Sequence, residues 1–245
     1  MINENQIVPY QTSELPVEEG PWLVFAPHAD DESFGMGGTL AKAVDKGIKV
    51  ELVIMTDGAL GGQSNDLQNV RKEEALKAAG FLGLEKPVFL DNKDRGLKLD
   101  ENTVAQAAYE IERVKPAAVF FPGVFELHPD HRATALIVWR AMKNVGNSEV
   151  LPVAVAYEVL VQSPINRLID ITPYIDKKKE VMAIYESQLA ETSYMDIVLT
   201  ANKLRTVTLQ PLTSAAEGFY CFELEDLKSE LVDVVKKIIS RYLNE

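Results

Sequence analysis

Short apolar runs rich in β-branched and aromatic residues alternate with longer segments of helical periodicity through the first half of this chain, and that alternation limits its fold more than any other feature. The runs at 22–26, 49–55, 88–90 and 117–121 read as strands, and the segments 36–46, 69–79, 102–114 and 132–142 as helices. In the second helix Val70, Ala75, Leu76 and Ala79 form the apolar face and Gly80 supplies the stop; the fourth carries the stripe Ala135, Leu136, Val138 and Trp139. Such alternation implies an α/β fold, a mainly parallel sheet flanked by helices, which binds its ligands at the carboxyl ends of the strands. Beyond residue 147 the pattern loosens: strands are expected at 153–161 and 219–222, helices at 177–189 and 227–243. No repeat or linker divides the chain. A single domain is therefore expected, with its core over residues 20–146 and a smaller α+β extension over 147–245.

Charge and cysteine content narrow the partners. Across 245 residues the formal net charge is −12, which opposes binding to nucleic acid or an anionic membrane and suits a small molecule. Cys221 is the only cysteine, so no disulfide framework and no cysteine-based zinc site can form; a reducing cytoplasm agrees with that. Residues 1–19 are polar and acidic and lack the order of a secretory signal. The longest apolar stretch, 150–161, is too short to span a bilayer and is interrupted by Glu158. A cytoplasmic protein without a membrane span is the expectation.

All three histidines fall in two acidic motifs, Pro27-His28-Ala29-Asp30-Asp31-Glu32 and His128-Pro129-Asp130-His131, each following a predicted strand. In a parallel sheet those two points converge on one rim. A tight turn can bring His28 and Asp31 to one divalent ion, with His131 as third ligand, and a zinc site with three protein ligands keeps a position open for water. Zinc lowers the pKa of such a water from about 15.7 to about 7. Asp30 is then the spare carboxylate that can act as general base. His128 can polarise the reacting carbonyl, and Asp130 can fix the tautomer of His128 or His131. Each motif has a plainer reading, a helix cap for His-x-x-Asp and a turn centred on Pro129 and Asp130 for the other. Two histidines and a carboxylate also suit non-heme iron, so Fe2+ is the alternative ion, although the spare Asp30 argues for hydrolysis. The run Gly35-x-Gly37-Gly38 invites a dinucleotide reading, but the spacing is wrong and Asp30, Asp31 and Glu32 would repel a pyrophosphate; close helix packing explains the glycines better.

These residues carry a resemblance. The chain resembles the LmbE-like, or PIG-L, family of zinc-dependent deacetylases acting on N-acetylglucosamine-containing molecules. The first motif stands here as His28-Ala29-Asp30-Asp31-Glu32 with Gly35-Met36-Gly37-Gly38-Thr39-Leu40 after it, Ala29 replacing the usual proline; the second is His128-Pro129-Asp130-His131-Arg132-Ala133. Thr56-Asp57-Gly58, Arg71-x-x-Glu74, Ser187-Gln188 and Ala216-Glu217-Gly218-Phe219 extend the similarity. The resemblance implies a Rossmann-like core, zinc on His28, Asp31 and His131, Asp30 as base and His128 assisting the tetrahedral intermediate. It further implies that Arg71 faces the substrate, against the alternative of a surface Arg71 paired with Glu74 on its own helix. Asp91, at the end of the third strand, is expected to accept hydrogen bonds from sugar hydroxyls or else to cap the turn before Asn92, and Glu158 and Glu217 are weaker candidates for the pocket wall. The implied reaction is removal of an N-acetyl group from a small amino-sugar substrate. Amidase action on a larger conjugate and a non-catalytic sugar-binding protein are the alternatives. Apolar positions in the second half suggest a homo-oligomer contact.

Overall fold

In the computed structural model, which describes residues 10–60, 66–145 and 151–243, the period-two alternation of the strands sorts their side chains onto two cores. In β2 (Trp22–Ala26), Trp22, Val24 and Ala26 enter one core while Leu23 and Phe25 enter the other. β3 (Val50–Thr56) and β5 (Ala118–Pro122) divide in the same way, Leu52 and Phe120 on one side, Val53 and Phe121 on the other. A strand buried on both faces needs helices above and below, as the sequence pattern required.

One eight-stranded sheet results among the described residues. With β1 (Gln11–Ser13), β4 (Val88–Asn92), β6 (Val153–Tyr157), β7 (Arg167–Asp170) and β8 (Ala216–Cys221), its order is β1-β7-β8-β6-β5-β2-β3-β4. β8 runs antiparallel to β6 and β7; the other pairings are parallel. From β2 the chain builds outward through β3 and β4, then crosses back to β5 and builds the other way. The β2/β5 seam is thus the topological switch point, where open α/β sheets form a crevice. The boundary expected near residue 147 lies outside the described residues, and the sheet continues from β5 into β6 in regular register. Among the described residues, no helix is long and apolar enough to cross a membrane.

The helices differ from expectation in instructive places. α1 (Asp31–Asp45) starts five residues before the expected Met36, so Asp31 and Glu32 occupy its first turn, where carboxylates complement the helix dipole. α4 (Pro129–Asn144) likewise begins inside the second motif, with Pro129 at its first position, where a missing N–H costs nothing. α2 (Leu67–Leu82) runs through Gly80 and stops at Gly83, whose left-handed φ of 79° closes the helix. Its buried face is Leu67, Arg71, Glu74, Ala75, Ala78, Ala79 and Leu82, while Val70 and Leu76 are exposed. Two polar side chains thus took inward positions, for reasons that belong to the site. α3 (Glu101–Val114) closes as expected and is capped by Asp100.

In the second half, the strand expected over 153–161 ends at Tyr157 because the N–H groups of Val159, Leu160 and Val161 turn to the Glu126 carboxylate instead of a neighbouring strand. The helix expected over 177–189 is two, α5 (Ile175–Ala183) and α6 (Glu186–Leu189). α7 (Tyr194–Leu204), β1 and β7 were not read from the sequence. The strand expected over 219–222 spans Ala216–Cys221, and the C-terminal segment is a 3-10 turn at Leu224–Lys228 followed by α8 (Leu231–Leu243).

Candidate metal and active site

His28 sits two residues past the end of β2, on a turn in which its carbonyl accepts the Asp30 N–H at 3.0 Å. Asp30 takes φ 156°, a value an L residue rarely adopts, and thereby enters α1 with its side chain making no cap hydrogen bond. Asp31, one residue later, folds its carboxylate back. Its Oδ2 accepts the His28 backbone N–H at 2.9 Å, stands 3.1 Å from His28 Nδ1 and lies 3.2 Å from His131 Nε2. Ligands held at about 2.0–2.1 Å around a tetrahedral zinc ion stand about 3.3 Å apart, so these spacings fit a shared ion. His131 reaches the same point from the first turn of α4, across the β2/β5 seam. His28, Asp31 and His131 are buried.

The third imidazole adjoins them. His128 caps α4, its Nδ1 accepting the Asp130 N–H at 3.2 Å, and its ring meets that of His28 edge-on with centroids 4.6 Å apart. Because Nδ1 accepts, the ring hydrogen resides on Nε2. Ligand atoms of His28, His128 and His131 lie within 4.8 Å of one another, as do those of His28, Asp94, His128 and Asp130, so metal-binding groups crowd this corner. The Asp31 oxygen, next to both His28 Nδ1 and His131 Nε2, adds a carboxylate beside the first of these sets.

The charges are unequal in a useful way. Burial pulls the Asp31 carboxyl upward, but the His131 and His28 imidazoles outweigh it and hold this group far below the usual carboxylate range. Asp30 goes the other way, since burial and the adjacent Asp31 carboxylate push it well above that range. Burial and the two neighbouring imidazoles lower His128. Paired carboxylates driven in opposite directions are what a site with separate ligand and proton-transfer roles requires.

Asp130 acts differently from expectation. Its backbone N–H, not its carboxylate, orients His128; the carboxylate accepts the N–H groups of Arg95 at 2.7 Å and Leu97 at 3.2 Å and faces His28 Nε2 at 3.4 Å. Asp94, which the sequence reading passed over, faces the same Nε2 at 3.4 Å and accepts the Leu60 N–H. Although burial raises it, bonding to His28 and Leu60 prevails and holds the Asp94 carboxyl at about 2. Both carboxylates can receive the outer ring N–H of a ligating His28.

A cavity of about 400 Å³ opens over these groups. Arg71 lines it, 4% exposed and bonded through Nη2 to Gln188 Oε1, so it is not a surface residue. Glu74 accepts the N–H and hydroxyl of Ser187, so the Arg-x-x-Glu helix and the Ser187-Gln188 pair, far apart in sequence, lock together behind the cavity. Phe34, Val159, Leu160 and Tyr194 supply an apolar side. Asp91 is outside: its side chain is exposed and ion-paired with Lys72 at 2.7 Å, and the cavity wall after β4 is formed by Asp94 instead. Glu158 and Glu217 do not line it either. Glu158 pairs with Arg205, and Glu217 is buried against Lys178 at 2.6 Å.

The model of the PIG-L family, described as GlcNAc-PI de-N-acetylase, matches residues 23–142, a span that contains both histidine motifs and the seam between them. Over that span the chain is similar to the PIG-L family. Relatives named for deacetylation match it as well. It is 27% identical over 206 residues to the diacetylchitobiose deacetylase of Thermococcus kodakarensis, covering 76% of each chain. It is 26% identical over 185 residues to a probable N-acetyl-alpha-D-glucosaminyl L-malate deacetylase 2 of Bacillus anthracis, covering 69% of this chain and 81% of that one. Among solved structures, the N,N'-diacetylchitobiose deacetylase of Pyrococcus horikoshii superposes with a TM-score of 0.76 at 23% identity, over 87% of this chain and 88% of the other, which establishes a shared fold.

Proposed function

We propose that this protein is a metal-dependent N-deacetylase of the PIG-L type that removes the acetyl group from a small N-acetylglucosamine-containing substrate. The reading rests above all on the Asp31 oxygen shared between His28 Nδ1 and His131 Nε2, with the unengaged Asp30 carboxylate beside it. His28, Asp31 and His131 would hold the ion; two nitrogens and one oxygen suit Zn2+, with Fe2+ the alternative. When bound, such an ion supplies Lewis acidity that makes a water acidic near neutral pH and polarises a carbonyl.

The residues around that point divide the remaining work. Asp30, its carboxyl raised by burial and by Asp31, takes a proton from the attacking water as the new C–O bond forms. His128 donates its Nε2–H to the oxygen on which negative charge develops, since its Nδ1 is engaged by Asp130. Asp30 then delivers its proton to the amide nitrogen as the C–N bond breaks, giving acetate and a free amine. Arg71, held by Gln188, offers its guanidinium fork to sugar hydroxyls or to an anionic substituent. The Phe34, Val159, Leu160 and Tyr194 side can cover the less polar face of a sugar ring and exclude water.

Acetate release from a panel of N-acetylglucosamine derivatives tests this. At least one derivative should be deacetylated by the zinc-loaded protein, activity should vanish with chelation, and Asp30→Asn should bind metal yet lose roughly 10²–10⁴-fold in rate. Full activity in Asp30→Asn, or turnover indifferent to chelation, would overturn the mechanism.

A further inference from the structure

Two histidines are assigned to the metal, and the outer nitrogen of each must have somewhere to send its hydrogen. For His28 the partners are Asp94 and Asp130. For His131 the outer nitrogen is Nδ1, buried and without a hydrogen-bond partner among the described residues. The carboxylate facing it is Glu126, whose Oε2 stands 3.8 Å away. Glu126 is itself 1% exposed, on the loop between β5 and α4. Its Oε1 accepts the N–H groups of Val159 at 2.8 Å, Leu160 at 3.2 Å and Val161 at 3.3 Å, so it gathers three successive backbone donors from the segment that follows β6. Val159 and Leu160 also line the cavity.

We infer that Glu126 is a positioning residue that ties the metal ligand His131 to the apolar wall of the substrate cavity, Oε1 serving the 159–161 backbone while Oε2 faces the imidazole and also accepts the Leu160 N–H at 3.3 Å. The inference rests on the metal reading above. A ring movement of about 1 Å brings Nδ1 and Oε2 to the spacing of a charge-assisted hydrogen bond. That bond fixes the tautomer in which Nε2 presents its lone pair to the ion, and strengthens it as a ligand. Since the same side chain shapes the wall, metal and substrate bind through one shared element, and each should sense the other.

Glu126→Gln separates the two arms. A carboxamide oxygen still accepts from the 159–161 N–H groups, whereas the NH2 turned toward His131 cannot accept from Nδ1. Metal affinity, measured by competition with a chromophoric chelator, should fall about 10–100-fold in this variant, and the visible bands of its Co2+ form should shift. Glu126→Ala removes both arms and should in addition raise KM. In wild type, loading with Zn2+ should produce a slowly exchanging downfield imidazole proton assignable to His131 Nδ1, a reading that needs no variant to fold. Wild-type metal affinity and an unchanged Co2+ spectrum in Glu126→Gln would reduce Glu126 to a staple for the loop and overturn the inference alone. Absence of metal binding by wild type would overturn the metal reading together with it.

Discussion

His128 uses its two nitrogens for two purposes, and they can be pulled apart. Nδ1 caps α4 by accepting the Asp130 N–H, and Nε2–H is left to face the cavity. His128→Ala should therefore cost about 1 kcal/mol of stability through the lost cap and about 10²–10³-fold in kcat through the lost donor. His128→Asn restores a capping oxygen without the ring Nε2–H. Its denaturation midpoint should return toward wild type while kcat stays low, and recovery of both together would refute the division of roles. At this scale the histidine motifs stand out because the chain's three histidines all fall in them and each follows a strand, although either motif alone has a plainer use as a cap or a turn. The sequence points to Asp91 and not to Asp94 because loop direction is not written in residue type: Asp91 and Arg95 both take left-handed φ, 53° and 55°, and Asp94, between them, lines the cavity. Glu126 stands in an otherwise apolar stretch, Val124-Phe125-Glu126-Leu127, after a strand end. A lone acid among apolar residues is the available signal, but its partner is a backbone segment from beyond β6, which the local sequence does not show.

Strand and helix alternation was readable because each buried strand splits between two cores. α1 and α4 start earlier than the apolar periodicity predicts because the motif residues themselves form the first helical turn. Proline at the first position of α4 and acids in the first turn of both helices were the cues. β1 and β7 are only three and four residues long, too brief for a period to emerge. α1 also breaks internally: Met36 adopts φ −139°, and the N–H groups of Gly38 and Thr39 beyond the break donate to the Glu217 carboxylate at 3.0 and 2.8 Å. Gly35 and Gly38 serve close packing, as the sequence suggests, while Gly37 has room for a Cβ. A Cβ on Gly35 would lie 2.6 Å from the Glu158 carbonyl oxygen and 2.7 Å from the Tyr157 ring. Gly35→Ala should cost about 1–3 kcal/mol in thermal or denaturant unfolding and, by pushing the first turn of α1, weaken metal binding. A variant with unaltered stability and affinity would mean that this contact yields freely.

At the scale of the molecule, the switch point does the assembling: β2 and β5 are neighbours in the sheet, so groups 100 residues apart (His28 and His128) meet at one rim. The single cysteine gives a probe of how firmly that assembly holds. Cys221 is buried in β8, and burial pushes its thiol up to about 11. A thiolate reagent near pH 8 should thus label native protein slowly, at a rate that follows opening of the sheet, and label unfolded chain at once. Rapid native labelling would show β8 to be loosely held. Zinc should slow labelling further, because an ion bound only by the folded state stabilises it. The whole account depends on one ion shared across the β2/β5 seam, and metal content per chain measures it directly. Wild type should bind one equivalent of Zn2+ at the site, while Asp31→Ala and His131→Ala, each folded by circular dichroism, should lose it. A wild-type protein that binds no ion, or variants that retain it with undiminished affinity, would contradict the account.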